Sequence, residues 1–411
     1  MNIYQSPQAA LSMRILQVSN SFKPAWEAGG MTRTAYDLSK HLVKRGHKVT
    51  VFATEKGLSK DFNVTRNKPV SIDGIETYYF RNASNYLAER TFTIPYRLPF
   101  VARKRLKEFD IIHIHDYRRL AVPVIHYYAK KNNIPYVLQA HGSLTTFFQK
   151  GWLKKAFDAI WGNRILKDAS KVIAVTPIEV EQYKSMGVSE DKINIIPNGI
   201  NVSAFGDLPK SGEFRLKYGL DDSQKIILFL GRINKIKGLD LLANAFADIS
   251  EDFGEVKLVI AGPDHGYLPT LKKLIKELEI EEKVLFTGPL YERDKLEAYV
   301  DADVYVLPSI YETFPNTVLE ACACGLPVVV TDRCGIADTI NGQWGLVVPY
   351  DRNQLSNAIL RILTDDKIRQ QFGVKGKTLV REKFDWSKIV EQLEDVYQTV
   401  LTKGGIGNEG S

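Results

Sequence analysis

Short apolar blocks recur along the chain, and most of them end on glycine or a polar residue. Residues 13–19, MRILQVS, open the series. The glycine loop EAGGM follows, then TRTAYDLSKHLVKRG at helical period, then the apolar block HKVTVFAT. That order is the start of a β-α-β unit. FDIIHIHD, IPYVLQAHG, KVIAVT and INIIPNG continue it, with helical stretches between them. The pattern then restarts with KIILFLGR, EVKLVIAG, KVLFTG, ADVYVLPS and LPVVVT. Near-continuous Val/Ile/Leu runs are the mark of parallel strands buried on both faces. The prediction is therefore an α/β chain of two doubly wound, Rossmann-like parallel-sheet domains, split at NGINVSAFGD (199–207). Residues 1–202 form the first and 203–383 the second. Residues 384–402, FDWSKIVEQLEDVYQTVLT, read as an amphipathic helix with no strand after it, and 403–411 as a disordered tail like 1–11. Ligands of open α/β sheets bind beyond the carboxyl ends of the strands, so a cleft between the domains is the expected site.

That expectation directs attention to the residues just after each strand. In FLGRINKIKG (229–238), Arg232 ends a strand, and Lys237 and Gly238 lead into a helix. Two cations at a helix N-terminus make an anion site suited to a diphosphate. In YETFPNTVLEACACG (311–325), Glu312 precedes a helix expected to begin at Pro315, and Glu320 lies in its second turn. Asn316 and Thr317 place amide groups at that helix start, beside Phe314. Two carboxylates flanking an anion pocket could accept hydroxyls of a sugar and a ribose; a capping Glu and a solvated Glu are the structural alternative. His141 in AHGS, and His115 with Asp116 in HIHD, end strands of the first half. Gly29–Gly30 permits close backbone approach to a ligand but lacks the dinucleotide fingerprint, which argues against a nicotinamide or flavin enzyme. Asp301 and Asp303 in DAD are read as the start of a strand rather than as metal ligands.

Composition narrows the field. The 411 residues are 44% hydrophobic and 25% charged, ordinary for a globular chain. No apolar run is long enough to span a bilayer, and the N-terminus lacks the pattern of a signal peptide. Three cysteines, Cys322, Cys324 and Cys334, fit small buried thiols in a reducing cytoplasm better than a disulfide framework. The net charge of +7 is uneven. Residues 1–202 hold 30 Lys and Arg against 16 Asp and Glu, so the first half is strongly basic and the second acidic. Two basic stretches carry bulky apolar residues: 91–109, and 145–167 with Phe147, Phe148, Trp152, Phe157 and Trp161 among Lys150, Lys154 and Lys155. Either these aromatics pack into a core, or they face an anionic membrane. Nucleic acid is a weaker expectation, because it leaves the strand-end residues unexplained.

Together these residues resemble the retaining glycosyltransferases of family 4, with the two-domain GT-B fold. The resemblance runs from MRILQVSNSF and GGMTRTAYDL through DIIHIHD, HGS and IIPNGI to GRINKIKG and ETFPNTVLEACACGLPVVVTD. It implies that Arg232 and Lys237 grip the diphosphate of a UDP- or GDP-sugar, that Glu312 contacts the donor sugar and that Glu320 contacts its ribose. It further implies that His141 touches the transferred sugar, that Gly29 and Gly30 lie against the phosphates, and that backbone near Gly288–Leu290 reads the base. His115 and Asp116 would then lie on the acceptor side. The acceptor is expected to be a glycan or a lipid-linked sugar, with no metal or other cofactor. A sugar-nucleotide epimerase on the same fold is the competing reading.

Overall fold

The computed structural model describes residues 12–58, 64–89, 92–144 and 151–405. The chain forms two compact units: one runs to Pro197 and resumes at Trp386, and the other spans Asn198–Asp385. The second unit thus begins at Asn198 rather than at 203. The reason is a pairing of chain crossings: Ile200 N–H donates to Phe384 O at 2.7 Å, so the entering and leaving segments lie side by side.

The first unit is built on β1 (Arg14–Val18), β2 (Lys48–Thr54), β3 (Pro69–Ile72), β4 (Ile75–Phe80), β5 (Ile111–His115), β6 (Tyr136–Gln139), β7 (Lys171–Ala174) and β8 (Ile193–Ile195). Their order is β3-β4-β2-β1-β5-β6-β7-β8. All neighbours are parallel except β3 and β4, which form a hairpin. Its turn is Asp73–Gly74, with φ of 50° and 81°, as a tight hairpin turn demands. The sheet order reverses between β1 and β5, which places the loops after these two strands at a switch point. Four buried polar side chains, Gln17, His113, His115 and Gln139, interrupt the otherwise apolar strands there.

The helix Trp386–Gly405 returns to this unit and extends past the 402 expected for it. Trp386, Ile389, Val390, Leu393, Val396, Tyr397 and Val400 join one core with Ile15, Leu38, Leu42, Val49 and Val51. Full burial of side chains this size contributes about 1.5–3 kcal/mol each. Glu394 secures the contact by taking His47 at 2.8 Å and Arg45 at 2.7 Å.

The second unit holds β9 (Lys225–Leu230), β10 (Val256–Ala261), β11 (Val284–Gly288), β12 (Val304–Leu307), β13 (Val328–Thr331) and β14 (Gly345–Val348). Every pair is parallel, in the order β11-β10-β9-β12-β13-β14. Winding reverses between β9 and β12, so the loops after these strands flank the switch point. Gly238 has φ +66°, and a Cβ there would overlap the carbonyl oxygen of Pro308 at the end of β12. Only glycine lets the two loops approach this closely. Cys322 and Cys334 are buried free thiols, and burial raises the latter to about 12.

Candidate functional site

At the switch point of the second unit, the chain leaves β9 through exposed Arg232, which makes no ion pair among the described residues. The Asn234 side chain caps the following turn by accepting from Ile236 N–H at 3.1 Å. That turn, Lys235–Lys237, hands over to the helix Leu239–Asp252 through Gly238. Lys237 Nζ is ion-paired with Glu312, and their side chains are only 14% and 18% exposed.

Glu312 is fixed by its own backbone. Its N–H donates to Arg333 O at 3.2 Å, and its carbonyl accepts from Gly335 N–H at 2.7 Å. The chain after β13 therefore holds the carboxylate at the mouth of the next helix, Asn316–Ala323. Pro315 is the N-cap of that helix, not its first residue, because its extended backbone (ψ 107°) puts it outside the helical turn. Asn316 and Thr317 are then the first two helical residues, whose N–H groups have no acceptor within the helix. Phe314 is buried and packs against Phe384, with ring centroids 5.9 Å apart. Tyr305 OH lies 2.7 Å from Thr317 Oγ1 and 3.1 Å from Leu230 O, tying β9, β12 and the helix start together.

Glu320 is also paired. Lys295 Nζ reaches its Oε1 at 2.7 Å, and buried Tyr299 OH donates to Oε2 at 3.2 Å. Gly288 ends the outer strand β11 with φ +73°, and Leu290 beyond it is buried. The structure thus gathers Arg232, Lys237, Glu312, Phe314, Pro315, Asn316, Thr317 and Glu320 around one reversal of the sheet, with Gly288 and Leu290 along the same carboxyl edge. Each carboxylate is matched by a lysine, and the helix start and Arg232 add positive potential. Such an arrangement suits a ligand that carries both phosphate and hydroxyl groups. Asp301 and Asp303 are used elsewhere: Asp301 accepts from Gly212 N–H at 2.6 Å and Arg215 N–H at 3.0 Å, and Asp303 from Ile226 N–H at 2.9 Å. No cluster of three potential metal ligands occurs among the described residues.

In the first unit, three histidines form a stack. The rings of His113 and His115 lie 4.2 Å apart, and those of His115 and His141 5.3 Å. His115 Nε2 donates to Gln17 Oε1 at 2.5 Å, which leaves its Nδ1 to accept the proton of His141 Nε2 at 3.0 Å. Nδ1 of His141 then carries the lone pair. Burial lowers all three: His113 to about 3, His115 well below the ordinary range, and His141 to about 4 despite the opposing charge of Asp116. They are neutral at pH 7. Asp116 is held ionised below the usual range, since Arg119 and Tyr117 N–H outweigh its burial. His141 and Asp116 both adopt left-handed backbone, with φ of 51° and 74°. Gly29, also left-handed at φ 108°, is the N-cap of the helix Gly30–Lys44, with open space where its side chain would stand.

Several participants escape a sequence reading. Gln17, His113 and Lys295 look like ordinary strand and helix positions. Glu179 does carry a signal: Thr176–Pro–Ile–Glu179 has the spacing of a capping box. Yet its carboxylate reaches past the N-cap to Val175 N–H at 2.9 Å and Gly142 N–H at 2.6 Å.

The basic-aromatic stretches divide. Phe147, Phe148 and Lys150 lie outside the described residues. Trp152 is 72% and Trp161 41% exposed, with Ile160 between them at 63%. Phe157 instead packs on Tyr117 at 5.9 Å. In the other stretch Phe100 and Tyr96 are exposed, while Leu98, Ala102 and Leu106 are buried. No described helix is long and apolar enough to cross a membrane.

Two parallel-sheet α/β units of this order define the GT-B fold. The sequence agrees: residues 28–204 match the model for Glycosyltransferase Family 4, and 210–379 that for Glycosyl transferases group 1. The chain belongs to this family. It is 29% identical over 408 residues to an uncharacterized glycosyltransferase of Methanocaldococcus jannaschii, covering 96% of this chain and all of the relative. It is 27% identical over 365 residues to the alpha-monoglucosyldiacylglycerol synthase of Streptococcus pneumoniae, covering 85% and 78% of the two chains. Among solved structures, sucrose-phosphate synthase from Thermosynechococcus elongatus superposes with a TM-score of 0.78 at 25% identity, over 95% of this chain and all of that one. Anabaena HepE in complex with UDP and glucose gives 0.75 at 20% identity, over 94% of this chain and all of that one.

Proposed function

We propose that this glycosyltransferase moves a hexose from a UDP- or GDP-sugar to a lipid-linked or glycan acceptor, with retention of configuration and without a metal. The observation that carries the reading is the grouping of Arg232, Lys237, Glu312 and Glu320 around the helix start at Asn316. On this reading Arg232 and Lys237 neutralise the diphosphate, Glu312 accepts from the donor sugar and Glu320 from the ribose. In the first unit His141 touches the transferred sugar, and Gly29–Gly30 lies against the phosphates. The leaving phosphate takes the acceptor's proton, so the protein's task is to stabilise charge on that phosphate. Two cations and helix-start amides aimed at it supply that stabilisation.

A lipid-linked acceptor, met at the inner face of a membrane, is favoured by exposed Trp152, Ile160 and Trp161 in a segment that also carries Lys154 and Lys155. The diacylglycerol named for the pneumococcal relative points the same way. The test is a panel of UDP-, GDP- and ADP-sugars with lipid and oligosaccharide acceptors, followed by NMR of the product's anomeric proton. Nucleoside diphosphate released only when acceptor is present, with the donor's anomeric configuration kept, is the expected result. Release without acceptor, or epimerised donor, would overturn it.

A further inference from the structure

Glu179 is fully buried, and the functional reading leaves it without a task. It sits in the first turn of the helix Pro177–Ser185. Its two oxygens accept from backbone amides of different segments, Gly142 just after His141 and Val175 just after β7. One turn later, Tyr183 OH accepts from Ala140 N–H at 3.0 Å. This helix therefore grips the peptide amides on either side of His141, whose backbone is held left-handed at φ 51°. The imidazole is held separately, by His115.

We propose that Glu179 is a positioning residue for the proposed transfer: as a carboxylate it clamps the His141 loop in its working geometry, and on protonation it lets that loop go. The proposal rests on His141 touching the transferred sugar. The chemistry behind it is the number of acceptors. Two converging N–H donors need a group with acceptors only, and an ionised carboxylate is such a group. Protonation leaves one of the two amides only a weakly accepting hydroxyl oxygen, and a Gln turns an N–H donor toward it. Burial pushes the Glu179 carboxyl up to about 7, although both amides favour its charged form. The titratable groups around it are Tyr183 on its own helix, His141 on the clamped loop, and His115 with the Asp116–Arg119 pair behind that. Burial holds His141 neutral with a value of about 4, so it supplies no limb near pH 7.

Activity and stability then respond to pH with opposite signs. The clamp gains function as pH rises through about 7. The folded-state value lies above the ordinary 4.5, so Glu179 contributes to stability below that pH and loses the contribution as pH rises through about 7.

The experiment compares wild type, Glu179→Gln and Tyr183→Phe. Wild-type kcat should show an acid limb near pH 7. Glu179→Gln should lower kcat about tenfold at pH 8, as for one lost charge-assisted hydrogen bond, with KM for donor little changed, a flat profile between pH 6 and 8, and no loss of Tm at pH 8. Tyr183→Phe should lower kcat but keep the limb. A limb that persists in Glu179→Gln, or a fall in Tm at pH 8 with an unchanged profile, overturns the proposal and leaves Glu179 a packing residue. A readout independent of transfer is the ¹⁵N-histidine NMR spectrum, with His141 assigned by His141→Gln. In wild type its shifts should move with a midpoint near pH 7 while keeping the neutral tautomer's pattern. Their failure to move overturns the clamp, whereas movement without transferase activity overturns only the functional reading.

Discussion

Replacing Lys237 by alanine separates two roles that the Lys237–Glu312 pair combines. Both side chains are mostly buried, so removal strands the Glu312 carboxylate without its counter-charge. Loss of a hydrogen bond to a charged group costs about 1.5–3 kcal/mol. In a domain of this size each kcal/mol lowers Tm by about 2–4 °C, so Lys237→Ala should melt roughly 3–12 °C lower. If Lys237 also binds the diphosphate, kcat/KM for the nucleotide-sugar should drop about 10–100-fold, since each 1.4 kcal/mol is a factor of ten. Adding Glu312→Gln removes the stranded charge. The double variant should regain much of the lost Tm by calorimetry and none of the lost kcat/KM by coupled detection of nucleoside diphosphate. Wild-type kcat/KM in Lys237→Ala, or recovery of both quantities together in the double variant, would refute the diphosphate assignment and leave the pair purely structural.

Other outcomes follow from the same geometry. Glu320→Gln should mainly raise the donor KM, because a ribose contact is equal in ground and transition states, whereas Glu312→Gln should lower kcat; equal effects on both constants would merge the two roles. Activity should persist in excess chelator, and full loss restored by Mg²⁺ or Mn²⁺ would return Asp301 and Asp303 to consideration. Gly238→Ala should destabilise the second unit by more than ~2 kcal/mol, because it combines left-handed backbone with overlap on Pro308 O; an unchanged melting curve would contradict that close approach. The protein should co-sediment with anionic vesicles at low salt and less so after Lys154→Glu and Lys155→Glu, each charge near the surface being worth about 1 kcal/mol. Equal sedimentation with neutral vesicles, or none with either, would favour a soluble acceptor.

Much of this architecture is legible in the sequence because buried parallel strands leave unbroken Val/Ile/Leu runs. The residue after each run is also easy to find, which is how Arg232, Glu312 and His141 come forward. What stays hidden is what depends on partners brought together by topology. Lys295 lies 25 residues before Glu320, and nothing local links them. Gln17 and His115 meet because β1 and β5 are neighbours in the sheet, a fact of strand order rather than of pattern. Pro315 stands one position before the helix rather than at its start, since proline suits both the first helical turn and the extended residue before it. The β3–β4 hairpin, by contrast, announces itself through Asp73–Gly74 between alternating residues.

The returning helix has a consequence for how the protein is made. Trp386 to Val400 completes a core whose other half was synthesised first, with strands β1 and β2. The whole stretch Asn198–Asp385 must leave the ribosome in between. At about 5–20 residues per second, that delay is roughly 10–40 s, long compared with the folding of most small domains. The nascent first unit must therefore wait with an apolar groove uncovered along Leu38, Leu42 and Val49, and the second unit is free to finish before it. A stop codon just before Trp386 would remove only about 6% of the 411 residues, yet leave that groove open for good and the product a natural client for chaperones and proteases.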